Sequence, residues 1–203
     1  MIFQRKAVWG SRVALAGALA AAALASGCGD VVRQGKGSSY LIVQRLEAAP
    51  GAEPEEFRGN LLSDVITVVD DVAGIYNDLA QVTISLAMKD PALTSPTSAN
   101  FITLSRYRVR YIRTDGRNTP GVDVPYGFDG GLTVTVSGSD VIASFEIVRH
   151  IAKSEAPLLA LRVNGVIINA IAEVTFYGRD QTGREVSVVA NIQVDFGNFA
   201  DPE

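Results

Sequence analysis

Three arginines alternate in the stretch RYRVRYIR: Arg106, Arg108 and Arg110, separated by Tyr107 and Val109 and followed by Tyr111. In an extended strand this spacing puts the guanidinium groups on one face and the aromatic and aliphatic groups on the other. The planar guanidinium fork matches carboxylate and phosphate oxygens. The row therefore either binds an anionic partner or pairs with acids on neighbouring strands, Glu173 or Asp195 among them. The segment that follows, Thr114 to Gly131 (TDGRNTPGVDVPYGFDGG), has 18 residues without alternation, with five glycines, two prolines and three aspartates. Loops of this length are usually functional or mobile. It reads either as an Ω-type loop that plugs one end of the fold with Tyr126 and Phe128, or as a recognition loop presenting Asp123, Tyr126 and Phe128. A third cluster is acidic: Asp64, Asp70, Asp71, Asn77 and Asp78. Calcium takes six to eight oxygen ligands, which makes Asp70, Asp71, Asn77 and Asp78 its candidates, with Asp123 and Asp129 as a second set. The spacing differs from that of an EF-hand, and turns favour Asp and Asn for local reasons.

Catalytic chemistry finds few carriers. The chain has one histidine, His150, at the end of FEIVRH, and no Gly-x-Ser-x-Gly elbow. A Ser-His-Asp triad would have to use His150 as its base. Zinc sites draw on several thiolates and imidazoles, and this chain has one cysteine and one histidine. No cofactor, metal or catalytic residue is therefore expected. The competing reading is a hydrolase of envelope polymers that uses carboxylates near the 114–131 loop, whose pairing would be spatial.

The single cysteine, Cys28, has a distinctive setting. Arg5, Lys6 and Arg12 precede an uncharged run of 14 residues, Val13 to Ser26, and then Gly27 and Cys28. A basic head, a short apolar stretch and small residues form a secretory signal peptide, and 14 residues fall short of the roughly 20 that a spanning helix needs. Leu24-Ala25-Ser26-Gly27-Cys28 resembles the lipobox of bacterial lipoproteins, with Ala25 where leucine is commoner. The resemblance implies cleavage before Cys28 and acylation of its thiol and new amino group. In that family an Asp next to the cysteine favours inner-membrane retention. Gly29 stands there and Asp30 follows, which points to the periplasmic face of the outer membrane if the host is Gram-negative.

The leader holds three of the 18 Lys and Arg and none of the 22 Asp and Glu, so 15 bases face 22 acids in the remainder, a formal charge of −7. That balance disfavours nucleic-acid binding, which needs a basic face. With Cys28 acylated no thiol remains, and stability must come from packing without disulfides.

Gly29 to Ser39 is polar and glycine-rich and reads as a tether. Beyond it period-two alternation dominates. Val82, Ile84, Leu86 and Met88 form one row; Leu132, Val134 and Val136 another; Val141, Ala143, Phe145 and Ile147 a third. Ala172, Val174 and Phe176 form a fourth, and the run from Val186 to Phe196 a fifth. Further strands are expected near Tyr40–Glu47, Leu61–Val69, Phe101–Arg113 and Leu158–Val163, and one helical turn near Ile151–Ala156. Ile102 and Leu104 share parity with the arginines, so the inward face must switch near Ser105, which predicts a bulge. The expected fold is all-β: a single antiparallel β-sandwich of about nine strands. The stretch VTFYGRDQTGREVSV resembles the closing hairpin of bacterial immunoglobulin-like domains, turning at Asp180-Gln181-Thr182-Gly183, and implies an immunoglobulin-like sandwich. The expected organisation is a signal peptide over 1–27, a tether over 28–39 and the β-domain over 40–203. The expected function is a lipid-anchored, non-enzymatic binding or structural module of the cell envelope. Its expected partners are the membrane, through the lipid, and an envelope protein or polymer.

Overall fold

The computed structural model describes residues 37–90, 92 and 95–200. The expected signal peptide, Cys28 and most of the expected tether lie outside the described residues. Ten strands follow in order: β1 (Ser39–Ala49), β2 (Asn60–Asp64), β3 (Thr67–Val69), β4 (Val72–Gly74), β5 (Asp78–Met88), β6 (Ile102–Ile112), β7 (Phe128–Val136), β8 (Val141–Val148), β9 (Ile168–Asp180) and β10 (Glu185–Gly197). A single helical turn, α1 (His150–Lys153), and a 3₁₀ segment, Leu158–Arg162, lie between β8 and β9. The chain is thus predominantly β, as the alternation predicts. The strands form a three-stranded sheet ordered β1-β5-β8, a five-stranded sheet ordered β2-β10-β9-β6-β7 and a β3-β4 hairpin.

The alternating rows supply a common core. Val82 and Ile84 of β5, Phe145 and Ile147 of β8, Val109 of β6, Val174 and Phe176 of β9 and Val194 and Phe196 of β10 are all buried in one cluster. Rings interlock between the larger sheets: Phe145 stands 4.8 Å from Tyr107 and 5.3 Å from Phe176, centroid to centroid. The Tyr111 hydroxyl donates to the Ile147 carbonyl at 2.7 Å. Burial lifts that phenol well above its ordinary range, and the hydrogen bond satisfies its polar end inside the core.

The parity switch in β6 is a bulge. Its pairing with both β7 and β9 shifts between Leu104 and Arg106, so Ser105 and Arg106 are consecutive exposed residues. Gly178 of β9 lies against this bulge. A Cβ there would fall 2.3 Å from the Thr103 carbonyl oxygen and 2.8 Å from the Leu104 Cα.

Four expectations change. The first is that β2 pairs with β10 in parallel, from Asn60↔Gln193 to Asp64↔Gly197, so the larger sheet is mixed and not wholly antiparallel. Second, the expected Leu61–Val69 strand divides after Asp64. The Asp64 carboxylate accepts from the Ile66 N–H and the Thr67 hydroxyl at 3.4 and 3.3 Å, an Asx-type turn that redirects the chain into the β3-β4 hairpin. Third, the strand expected near Leu158–Val163 is instead a 3₁₀ segment over Leu158–Arg162. Leu158 and Leu161 are the buried residues, and spacing three is the repeat of a 3₁₀ turn. Last, β1 begins at Ser39, the residue expected to close the tether; its side chain is buried and donates to the Asn100 carbonyl at 2.8 Å.

The β9-β10 hairpin turns at Asp180–Gly183 as expected, with Gly183 at φ +85°. The Asp180 carboxylate accepts from the Thr182 N–H, the Thr182 hydroxyl and the Arg184 N–H at 2.9, 2.7 and 2.9 Å. Burial acts to raise this carboxyl, but these hydrogen bonds outweigh it and hold it below the usual aspartate range. A group whose folded pKa is depressed stabilises the fold above its unfolded pKa, and that contribution is lost as pH falls through the folded value. The deficit of Asp180→Asn, measured by urea unfolding, is therefore expected to be full above about pH 4 and to shrink towards pH 2; a deficit that grows on acidification contradicts the assignment. At the bulge, Gly178→Ala is expected to cost about 1–3 kcal/mol through overpacking. Gly131→Ala, whose Cβ would meet nothing within 4 Å, is the control, expected to change stability by under about 0.5 kcal/mol.

Candidate functional site

The arginine row lies on the outer face of β6, as its spacing predicts. It is compensated from both neighbouring strands. Arg108 grips Asp129 of β7 with two nitrogens, Nε at 3.1 Å and Nη2 at 2.8 Å. Arg106 reaches the same carboxylate at 3.3 Å while its guanidinium covers the Tyr177 ring at 4.1 Å. Arg110 stands 3.7 Å from Glu173 of β9. The Arg108 hydrogen bonds pull the Asp129 carboxyl below its ordinary range. Asp195, the other expected partner, is engaged instead by Asn169 at 2.7 Å and Gln193 at 3.0 Å. Three guanidinium groups thus face two carboxylates. Exposed pairs of this kind contribute little to stability.

The long loop is shorter than expected because β7 begins at Phe128. Phe128 is not a surface contact residue: it is buried, 6.2 Å edge-on from Tyr107, with the Arg149 guanidinium 4.3 Å above its ring. Gly130 and Gly131 conceal the start of this strand in the sequence, ahead of the expected Leu132–Val136 row. A Cβ on Gly130 would lie 2.3 Å from the Tyr107 ring, so the glycine is where the tyrosine crosses β7. Phe128 fills the plugging role as expected, together with Val124, 2% exposed, whereas Tyr126 is 56% exposed. Tyr126 lies over Gly121, which has φ +76°. Asp123 serves the loop itself: its carboxylate accepts from the Thr119 N–H at 3.1 Å, and the Thr119 carbonyl accepts from the Asp123 N–H at 2.8 Å. Hydrogen bonds from Arg113 and then Arg117 hold the Asp115 carboxyl well below the usual carboxylate range. The loop is therefore a braced structure that presents Tyr126 and Val122.

The acidic cluster is dispersed. Asp70 and Asp71 form the two-residue turn of the β3-β4 hairpin, at φ 51° and 60°, the conformation that a type I′ turn requires. Asn77 organises the start of α1. Its Nδ2 donates to Glu146 at 2.8 Å, and its Oδ1 accepts the His150 N–H at 2.6 Å. Asp78 is fully buried and forms an ion pair with Lys153, itself 1% exposed, at 2.7 Å. The Asp78 carboxylate also accepts from the Ser63 hydroxyl at 2.6 Å and the Gly51 N–H at 2.9 Å. Burial pushes this carboxyl up, against the opposing pull of Lys153. Among the described residues no three His, Cys, Asp or Glu side chains gather as a metal-binding group. Nothing in the sequence singles out Lys153 or Ser63, because their importance arises only from the position of Asp78.

Close to these elements is a cleft of about 180 Å³ lined by Pro50, Glu53, Arg58, Leu62, Asp64 and Phe199. No family model matches this chain, and no curated protein is significantly similar to it.

Asp78→Asn leaves the Lys153 ammonium buried without its counter-charge and is expected to cost about 3–5 kcal/mol. Asn retains the shape that meets Ser63 and Gly51, so the double variant Asp78→Asn/Lys153→Met is expected to recover at least half of that loss. Denaturant unfolding of the two single variants and the double decides; strictly additive losses would show that the two side chains act independently.

Proposed function

We propose that this protein is a lipid-anchored module of a bacterial cell envelope, an immunoglobulin-like β-sandwich that works by binding and not by catalysis. The observation that carries the reading is Cys28: the only thiol in the chain, set directly after a basic head, 14 uncharged residues and small residues. Acylation there has a clear physical use. Each buried CH₂ contributes about 0.8 kcal/mol, one chain binds a membrane only marginally, and two or three on one cysteine hold durably. Gly29 and Asp30 favour the outer membrane in a Gram-negative host. The interlocked core and the closing hairpin at Asp180–Gly183 support the sandwich, with β2 and the β3-β4 hairpin as additions.

Binding is favoured over hydrolysis by how the carboxylates are used. Asp129 is held by two arginines and Asp123 braces its own loop, so neither stands ready as an acid or base. Each arginine of the β6 row has a carboxylate of its own sheet within 4 Å, which favours the loops over the sheet face as the contact surface.

In a host with lipoprotein-processing enzymes, Cys28→Ala is expected to move the protein from the membrane to the soluble fraction, and the mature parent should carry acyl chains by mass spectrometry. A variant retained as firmly as the parent, or a parent without added mass, ends this reading.

A further inference from the structure

The exposed apolar side chains are not evenly spread over the fold. The chain enters the described domain where Ser39 bonds to Asn100 and β9 runs into the Asp180 turn. At the opposite end Asp78 meets Ser63 and Lys153. β9, with 13 residues, sets the two ends about 40 Å apart at roughly 3.3 Å per residue. Of the 13 large hydrophobic side chains exposed among the described residues, all but Ile142 and Val189 belong to that far end. Val163 is 92% exposed, Val122 67%, Val72 66%, and Val166, Tyr126 and Ile167 about half or more. Single exposed hydrophobics need no explanation; a concentration of them at one end does.

These residues adjoin a concave feature. A Cβ on Gly197 would lie 3.1 Å from the Phe199 ring and 3.4 Å from Ile167, so both side chains flank that glycine. Phe199 and Leu62 line the 180 Å³ cleft. An apolar rim beside a small cleft is a receptor for an anchoring side chain.

From these observations we infer that the end of the described fold remote from Ser39 is a docking tip for a protein with an apolar centre and a basic rim. The orientation rests on the anchored reading above. In that reading the lipid is joined through the residues that precede Gly37. Charge selects the occupant. The connections 50–59, 65–77, 113–127 and 149–167 carry eight carboxylates against five arginines, and Lys153, the lysine among them, is matched to Asp78 in the core. An acidic rim repels anionic lipid headgroups and a second copy of the same tip, and attracts a basic surface.

The test is position-specific photo-crosslinking of the full-length chain in its native host. A photoreactive residue is placed at Val122, Val163 or Val166, with Ile142 and Val189 as exposed apolar controls. A discrete adduct with one protein, identified by mass spectrometry, is expected from the three tip positions and not from the controls. Val163→Asp/Val166→Asp should lower the Val122 adduct about tenfold with the circular dichroism unchanged, and Glu53→Lys/Glu55→Lys should lower it through charge. The inference is overturned by equal adducts from the controls, by an adduct of two copies of this chain, by adducts with lipid alone or with the leader, by no adduct, or by insensitivity to either double variant. A tip adduct in a protein without lipid would keep the docking tip and remove the anchor. A lipidated protein with a silent tip would do the reverse.

Discussion

The far end of this fold depends on one buried ion pair. Asp78 and Lys153 meet at 2.7 Å with neither side chain open to water. Removing two charges from water costs several kcal/mol per ion, and their attraction offsets that only when the remaining hydrogen-bonding capacity is met. Here it is met from distant parts of the chain. Asp78 opens β5, Ser63 comes from β2, Gly51 from the connection after β1, and Lys153 from α1. Four segments that sequence order scatters are thus held to a single carboxylate. Apolar packing holds the sheets, but it is non-directional and could not specify where each connection ends.

That arrangement explains how a surface rich in exposed valine and isoleucine is compatible with a well-formed fold. Leu158 and Leu161 anchor the 3₁₀ segment in the core, and the Arg162 guanidinium donates to the Lys153 carbonyl at 2.9 Å. Asn77 fixes the entrance to α1 through the His150 N–H. The connection between β8 and β9 is therefore tied at several points, and Val163, Val166 and Ile167 project from a secured base. The 113–127 loop follows the same plan: Val124 is buried, Asp123 braces the backbone and Tyr126 is left outside. Preorganised loops on a rigid scaffold lose less entropy on binding than free ones do, which suits a docking surface.

The sheet face on which the arginines stand serves a different purpose. Asp129 joins Arg106 and Arg108, and Glu173 meets Arg110, so each arginine meets a carboxylate from a neighbouring strand. The bulge at Ser105 makes this possible. It turns the strand by one residue, so that Ile102 and Leu104 point inward before it and Tyr107, Val109 and Tyr111 after it. Gly178 leaves room for the turn. Without the extra residue the arginines would take the place of the core side chains.

Much of the architecture could be read from the residues alone, for a physical reason: a strand with one wet and one dry face must alternate, and alternation is local. The core rows of β5, β8, β9 and β10, the exposed face of β6 and its bulge, and the left-handed glycine of the last turn all follow from spacing. The Leu132–Val136 row of β7 also follows from spacing, but its start at Phe128 does not, because the Gly130-Gly131 pair has no side chain to mark a face. The 3₁₀ segment was hidden because a short apolar run carries no reliable period. The proposed lipoprotein leader and the proposed role of Cys28 likewise rest on sequence. What belongs to the tertiary structure is partnership. Asp78 resembles any turn aspartate until Lys153, 75 positions later, is folded against it. Phe128 looks exposed until Tyr107 and Arg149 enclose it. The grouping of exposed hydrophobics at one end exists only once the strands have set which connections share that end. Charge pairing and surface clustering depend on contacts between residues far apart in the chain, and those contacts are decided when the sheets close.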